Sequence, residues 1–155
     1  MKSIKFLFST LCALSLLAAC EKEEQPTPQE PESPANAMTY VGTIEVDQND
    51  GSTFTKESIE VVYEINEEGK MNIVMYQVKF AEAMPLTLDM TIEGVEYTTS
   101  DNGYALTGNN IVPIAMGGPF EQFTITNLTG EATKEGLTLN FICGTYPVSY
   151  QGSAK

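Results

Sequence analysis

Residues 86–94 read LTLDMTIEG, and their spacing decides the fold. Leu86, Leu88, Met90 and Ile92 alternate with Thr87, Asp89, Thr91 and Glu93. A period of two sends the two sets to opposite faces of an extended chain, whereas a helix would repeat every ~3.6 residues. The same rhythm recurs on either side. In residues 58–66, SIEVVYEIN, it aligns Ile59, Val61, Tyr63 and Ile65; in residues 136–143, GLTLNFIC, it aligns Leu137, Leu139, Phe141 and Cys143. Each strand has one apolar face and one polar or threonine-rich face, and Leu88, Met90, Leu139 and Phe141 are expected inside.

Turn chemistry separates the strands. QNDG at 48–51, NEEG at 66–69, DNG at 101–103 and KEG at 134–136 are reverse-turn and hairpin sequences. Strand-sized pieces fall at 39–47, 57–66, 70–80, 86–92, 94–99, 103–108, 122–133, 136–143 and 146–152, and no segment has helical periodicity of useful length. Short connections without crossover helices make an antiparallel meander, which closes into a barrel or stacks as a sandwich. Strand count and hairpin order favour the barrel. The first and last strands each carry a Tyr-x-Gly unit, Tyr40 to Gly42 and Tyr150 to Gly152. Those glycines either permit the close backbone approach that closure demands or simply mark strand ends.

The amino end has a different logic. Lys2 and Lys5 precede an apolar run at 6–17 that is too short to span a bilayer, which takes about 20 residues. It reads as a secretory signal at 1–19. Leu17-Ala18-Ala19-Cys20 resembles the lipobox of bacterial lipoproteins, in which the cysteine is lipidated and becomes the mature amino terminus. Cys20 is therefore the expected lipidation site, its acyl chains forming an outer-membrane anchor. CEKEE at 20–24 resembles the acidic export signal that sends lipoproteins of Bacteroidetes to the cell exterior, the alternative being a periplasm-facing protein. Pro26, Pro28, Pro31 and Pro34 punctuate a Glu/Gln-rich tether at 20–37 that cannot fold. At about 3.1 Å per residue in polyproline II it reaches on the order of 50 Å. The folded domain is expected at 38–155.

Composition excludes several classes of chemistry. The chain has no His, Arg or Trp, and its eight basic residues are all lysines. Loss of Lys2 and Lys5 with the leader takes the formal charge from −13 to −15, which repels nucleic acid. Without histidine there is no Ser-His-Asp or Cys-His nucleophile system, and no histidine metal site. The acidic residues sit mostly on polar strand faces or in turns. The acidic loop at 45–51 lacks the glycine offset and closing glutamate of an EF-hand, so no metal and no cofactor are expected. With Cys12 in the leader and Cys20 lipidated, Cys143 has no intramolecular partner and is expected to be a buried apolar residue. No enzymatic turnover is expected.

TYVGTIEV (39–46), KFAEAMPLTLDMTIEGVEY (79–97), GYALTGNNIVPI (103–114), MGGPFEQFTITNLTG (116–130) and GLTLNFICGTYPVSYQG (136–152) together resemble the calycin-like barrel domain of Bacteroidetes lipoproteins. The resemblance implies an approximately eight-stranded, up-and-down, calycin/lipocalin-like barrel and an outer-membrane address. Calycins in general bind small apolar ligands, and some block proteases. The expected function is binding of a small apolar or amphipathic ligand, with Tyr63, Met71, Met75, Met90 and Phe141 lining its site. The −15 field favours a positively charged head group. The alternative is a solid barrel acting as an interaction module, a protease inhibitor or accessory subunit for an envelope protein partner. Its contact face would carry Val62, Val74, Tyr76, Val78 and Phe80, on the strand faces opposite the main alternation. IVPIAMGGPFEQ at 111–122 is either a rim loop over one barrel mouth or a connection packed beneath the strands.

Overall fold

The structure, a computed structural model, describes residues 35–155; the leader, Cys20 and the tether up to residue 34 lie outside the described residues. Ten strands follow one another in the chain. They are β1 (Ala37–Asp47), β2 (Thr53–Ile65), β3 (Met71–Val78), β4 (Leu88–Ser100), β5 (Gly103–Gly108), the short β6 (Ile114–Ala115) and β7 (Gly118–Pro119), β8 (Ile125–Thr133), β9 (Gly136–Cys143) and β10 (Tyr146–Ala154). The only helical piece among the described residues is one 3₁₀ turn, Glu121–Phe123.

Every long strand pairs antiparallel with its neighbours in sequence, and β1 pairs with β10. The ring of β1, β2, β3, β4, β5, β8, β9 and β10 therefore closes into an eight-stranded up-and-down barrel, as expected, and the sandwich is ruled out. At the seam Gly42 faces Gly152. A Cβ on Gly42 would stand 2.0 Å from the Gln151 carbonyl oxygen and 2.3 Å from the Gly152 Cα, so the first Tyr-x-Gly unit serves close approach and not merely a strand end.

The alternation places the core as expected along most of the chain. Ile59, Val61, Tyr63, Leu137, Leu139, Phe141 and Cys143 are all buried. Bulges correct the rest. Gln77, at φ 52°, adds a residue to β3, and the pairing with β4 slips between Met75 and Val78. The extra residue reverses the phase, so Val78 and Phe80 turn into the core and leave the outer face expected of them. Val62 and Val74 face each other across β2 and β3 and stay half-buried, and Tyr76 is exposed. Gly94, at φ +74°, is a second bulge that joins the two pieces expected at 86–92 and 94–99 into one continuous β4 and brings Val95 inward. Leu86 precedes β4 and is 70% exposed, so it does not share the inner face of Met90 and Ile92, while Leu88 is only half-buried against the core.

Up-and-down order assigns every connection to one of two mouths. Residues 66–70, 101–102 and 134–135 lie at one mouth together with both ends of the described chain. There Ala154 faces Tyr40, the Tyr40 hydroxyl donates to the Thr133 carbonyl at 2.7 Å, and the Tyr63 hydroxyl donates to the Ala35 carbonyl at 2.7 Å. Residues 48–52, 79–87, 109–124 and 144–145 lie at the other mouth. The Gln48 side-chain amide donates to the Phe80 carbonyl at 2.8 Å, the Asn49 amide to Thr145 at 3.0 Å, and the Gly144 N–H to Thr124 at 3.1 Å.

Candidate functional site

The barrel interior is filled. Tyr40, Tyr63, Tyr150, Met71, Met75 and Met90 are among its largest fully buried side chains. Tyr40 stacks on Tyr63 at a centroid separation of 6.0 Å, Tyr63 meets Tyr104 edge-on at 6.2 Å, and Tyr97 meets Tyr104 at 5.0 Å. The five residues expected to line a ligand site all join this one core. Met75 and Met90 face each other across β3 and β4, Met71 faces Ile65 and Val95, and Phe141 faces Val148. A side chain bordering a hole large enough for water would carry accessible surface. Tyr63, Met71 and Met75 carry 0% and Met90 1%, so these four plug the barrel rather than line a cavity. Eight strands enclose a lumen of about that capacity.

Burial also fixes the ionisation of the interior. It holds the Tyr63 and Tyr150 phenols well above their ordinary value, with Tyr40 adding to both and Glu60 to Tyr150. Burial raises Tyr40 as well, and the neighbouring Tyr63 hydroxyl partly offsets it. The Cys143 thiol is pushed up to about 12 by burial, leaving it a protonated packing group whose Sγ lies 3.7 Å from the Phe123 carbonyl.

An open site appears instead at the mouth far from the chain ends. β5 stops at Gly108, so the first half of β4 lacks its partner on that side. The β6–β7 hairpin fills the gap, with Met90 facing Ala115 and Thr91 facing Ile114. The MGGP segment is therefore a rim hairpin hung on β4. The 79–87 connection rises opposite it, fastened by the Phe80 N–H to the Met84 sulfur at 3.1 Å. Between them lies a cleft of about 650 Å³. Phe80, Met84, Phe120 and Phe123 are among its walls, and Leu86 and Met116 stand at its lip, 70% and 81% exposed. Phe80 stacks on Phe123 at 6.3 Å, and Phe120 packs on Phe123 at 4.7 Å. Polar residues are few: Thr87, Asp89 and Thr91. The volume falls within the range of small-molecule sites, about 300–1,000 Å³, and the lining has their character of apolar walls with a few placed polar groups.

None of the five expected residues lines this cleft. The alternation that marks buried strand faces carries no information about connections, and the cleft is built from two of them together with the start of β4. The signals in the sequence were an apolar connection, AEAMPL at 81–86, and the proline- and glycine-broken MGGPF at 116–120. Among the described residues no group of three or more His, Cys, Asp or Glu is arranged to hold a metal ion.

Fold and site together define a calycin-like up-and-down barrel with a packed interior and an apolar cleft at one mouth. No family model, no curated protein and no solved structure matches the chain.

Proposed function

We propose that this chain is an envelope lipoprotein whose barrel binds a small apolar or amphipathic molecule in the mouth cleft. The observation that carries the reading is the contrast between a filled lumen and an open, phenylalanine-walled cleft of about 650 Å³ with Leu86 and Met116 exposed at its lip. Exposed apolar side chains gathered at one place mark binding surfaces more often than single ones do. The anchoring half of the proposal rests on the sequence, on LAAC followed by CEKEE. It places Cys20 in the outer membrane with the barrel facing the cell exterior. Both ends of the described chain leave from the opposite mouth, so a tether there would hold the cleft away from the membrane.

Native mass spectrometry of the chain from Glu21 onward, purified from the envelope of its own host, tests the binding half. A bound mass lost on Met116→Asp supports it, and repeated absence of any bound mass removes it. Fatty-acid labelling tests the anchor: Cys20→Ala should abolish label and membrane fractionation. A Cys20→Ala protein that remains with washed membranes would show that the anchor lies elsewhere.

A further inference from the structure

The charge distribution around the cleft narrows the class of ligand, given that the cleft is the binding site as proposed above. Of the residues lining it, only Asp89 is charged. Its Oδ1 accepts the Gln77 N–H at 2.8 Å, which fixes the carboxylate at the β3 bulge. Asp89 itself is exposed, and among the described residues no lysine is paired with it. Two lysines lie nearby in the fold. Lys56 donates from Nζ to the Gln77 carbonyl, and Lys79 donates to the Glu82 carbonyl at 2.8 Å, and neither lines the cleft. An apolar wall with one carboxylate at its edge that no lysine neutralises in a salt bridge matches an apolar chain ending in a cation. It opposes a chain ending in an anion, because a like charge would meet Asp89 at the rim.

We infer that the cleft selects cationic amphiphiles, an alkyl or aryl body carrying an amine or quaternary ammonium head, over fatty-acid-like anions, with Asp89 as the selectivity residue. The apolar body lies against Phe80, Phe120, Phe123 and Met116, and the head group sits at the Asp89 carboxylate. Thr87 and Thr91 offer hydroxyls to a head group that retains N–H donors.

The test uses the chain from Glu21 onward and three probes sharing one alkyl tail: dodecyltrimethylammonium, dodecanoate and dodecyl maltoside. All are titrated calorimetrically at pH 8, below their micelle concentrations. The expected result is that the ammonium binds about tenfold or more tighter than the carboxylate, with the maltoside between them, the effect of one near charge at a partly screened rim. Asp89→Asn keeps an oxygen for the Gln77 N–H and should bring the ammonium and carboxylate within about threefold of each other. The control is Asp101→Asn, which removes the same charge at the far mouth and should leave the preference within about twofold of its original value. Equal loss of preference in the two variants would mean that the general acidic field acts, and would overturn the assignment to Asp89. Carboxylate binding as tight as ammonium, with the maltoside also bound, would overturn the selectivity and leave the cleft reading standing. Failure of all three probes to bind would overturn both.

Discussion

The two mouths of this barrel are built from the same alternating strands and finish in opposite ways. At the mouth that holds the chain ends, the connections are short, and the space between them is closed by tyrosines. Their rings stack inside while the Tyr40 and Tyr63 hydroxyls reach the backbone of Thr133 and Ala35. At the other mouth the 79–87 and 109–124 connections are long, and phenylalanines and methionines take the corresponding places without hydroxyls to bond the rim. Tyrosine suits a closed end because one side chain both fills space and satisfies a carbonyl. Phenylalanine and methionine leave an end that is apolar and adaptable. The lesson is that sealing and opening a small barrel is settled by the last side chains and the loop lengths, not by the strands.

The contrast is broken most strongly at the tyrosine mouth. Tyr63→Ala should cost about 3–5 kcal/mol, the range for emptying a buried aromatic site, and should show as a lower urea midpoint with an unchanged slope. At the seam, Gly42→Ala should cost about 1–3 kcal/mol, because the new methyl meets backbone that has no rotamer to change; refolding yield and thermal midpoint both report it.

Alkaline pH attacks the same interior. The folded state holds Tyr40, Tyr63 and Tyr150 above their ordinary value of 10.0 and Cys143 at about 12 against 9.0. A raised pKa means the native state keeps its proton longer than the unfolded chain does. Its stabilising contribution is complete below the ordinary value and lost as pH climbs through the folded one. The thermal midpoint should therefore fall progressively as pH rises above 9 to 10 from these groups, and Cys143→Ala should remove the part that begins first. Tyr63→Phe, which leaves the Ala35 carbonyl without its donor, should cost only about 1 kcal/mol. The smallest effect belongs to the open mouth. Leu86→Ser should stay within about 0.5 kcal/mol of the parent in urea, as surface substitutions do, while weakening retention of any apolar probe. A Leu86→Ser protein with normal probe binding would remove Leu86 from the site.

Much of this fold was legible along the chain. β5 and β9 fall where alternation and turn residues put them, and the Tyr-x-Gly units at the two chain ends marked the seam. What escaped was phase. An alternating pattern is read on the assumption that no residue is skipped, and Gln77 and Gly94 each skip one. That is why Val78 and Phe80 were expected outside, and why β4 was expected in two pieces. The cleft was less legible still. Its walls come from segments some thirty residues apart, 80–91 and 114–123, which the pairing of β6 with β4 and the stacking of Phe80 on Phe123 bring together. Methionines within strands pointed to the lumen, where they pack, whereas Met84 and Met116 in the connections were the ones that reach the open site.

The placement of both chain ends at one mouth also has a mechanical consequence. A load applied between residue 35 and the cleft runs along β1, so the ladders it shares with β2 and β10 are strained in parallel, many rungs at a time. A load applied between residue 35 and Lys155 instead pulls apart neighbours at the same end, and the β1–β10 seam opens rung by rung from the pair Tyr40 and Ala154. In an optical trap the first geometry should yield at several times the force of the second. The barrel would then resist tension transmitted from something held in its cleft, yet unzip under tension that enters through its own carboxyl end.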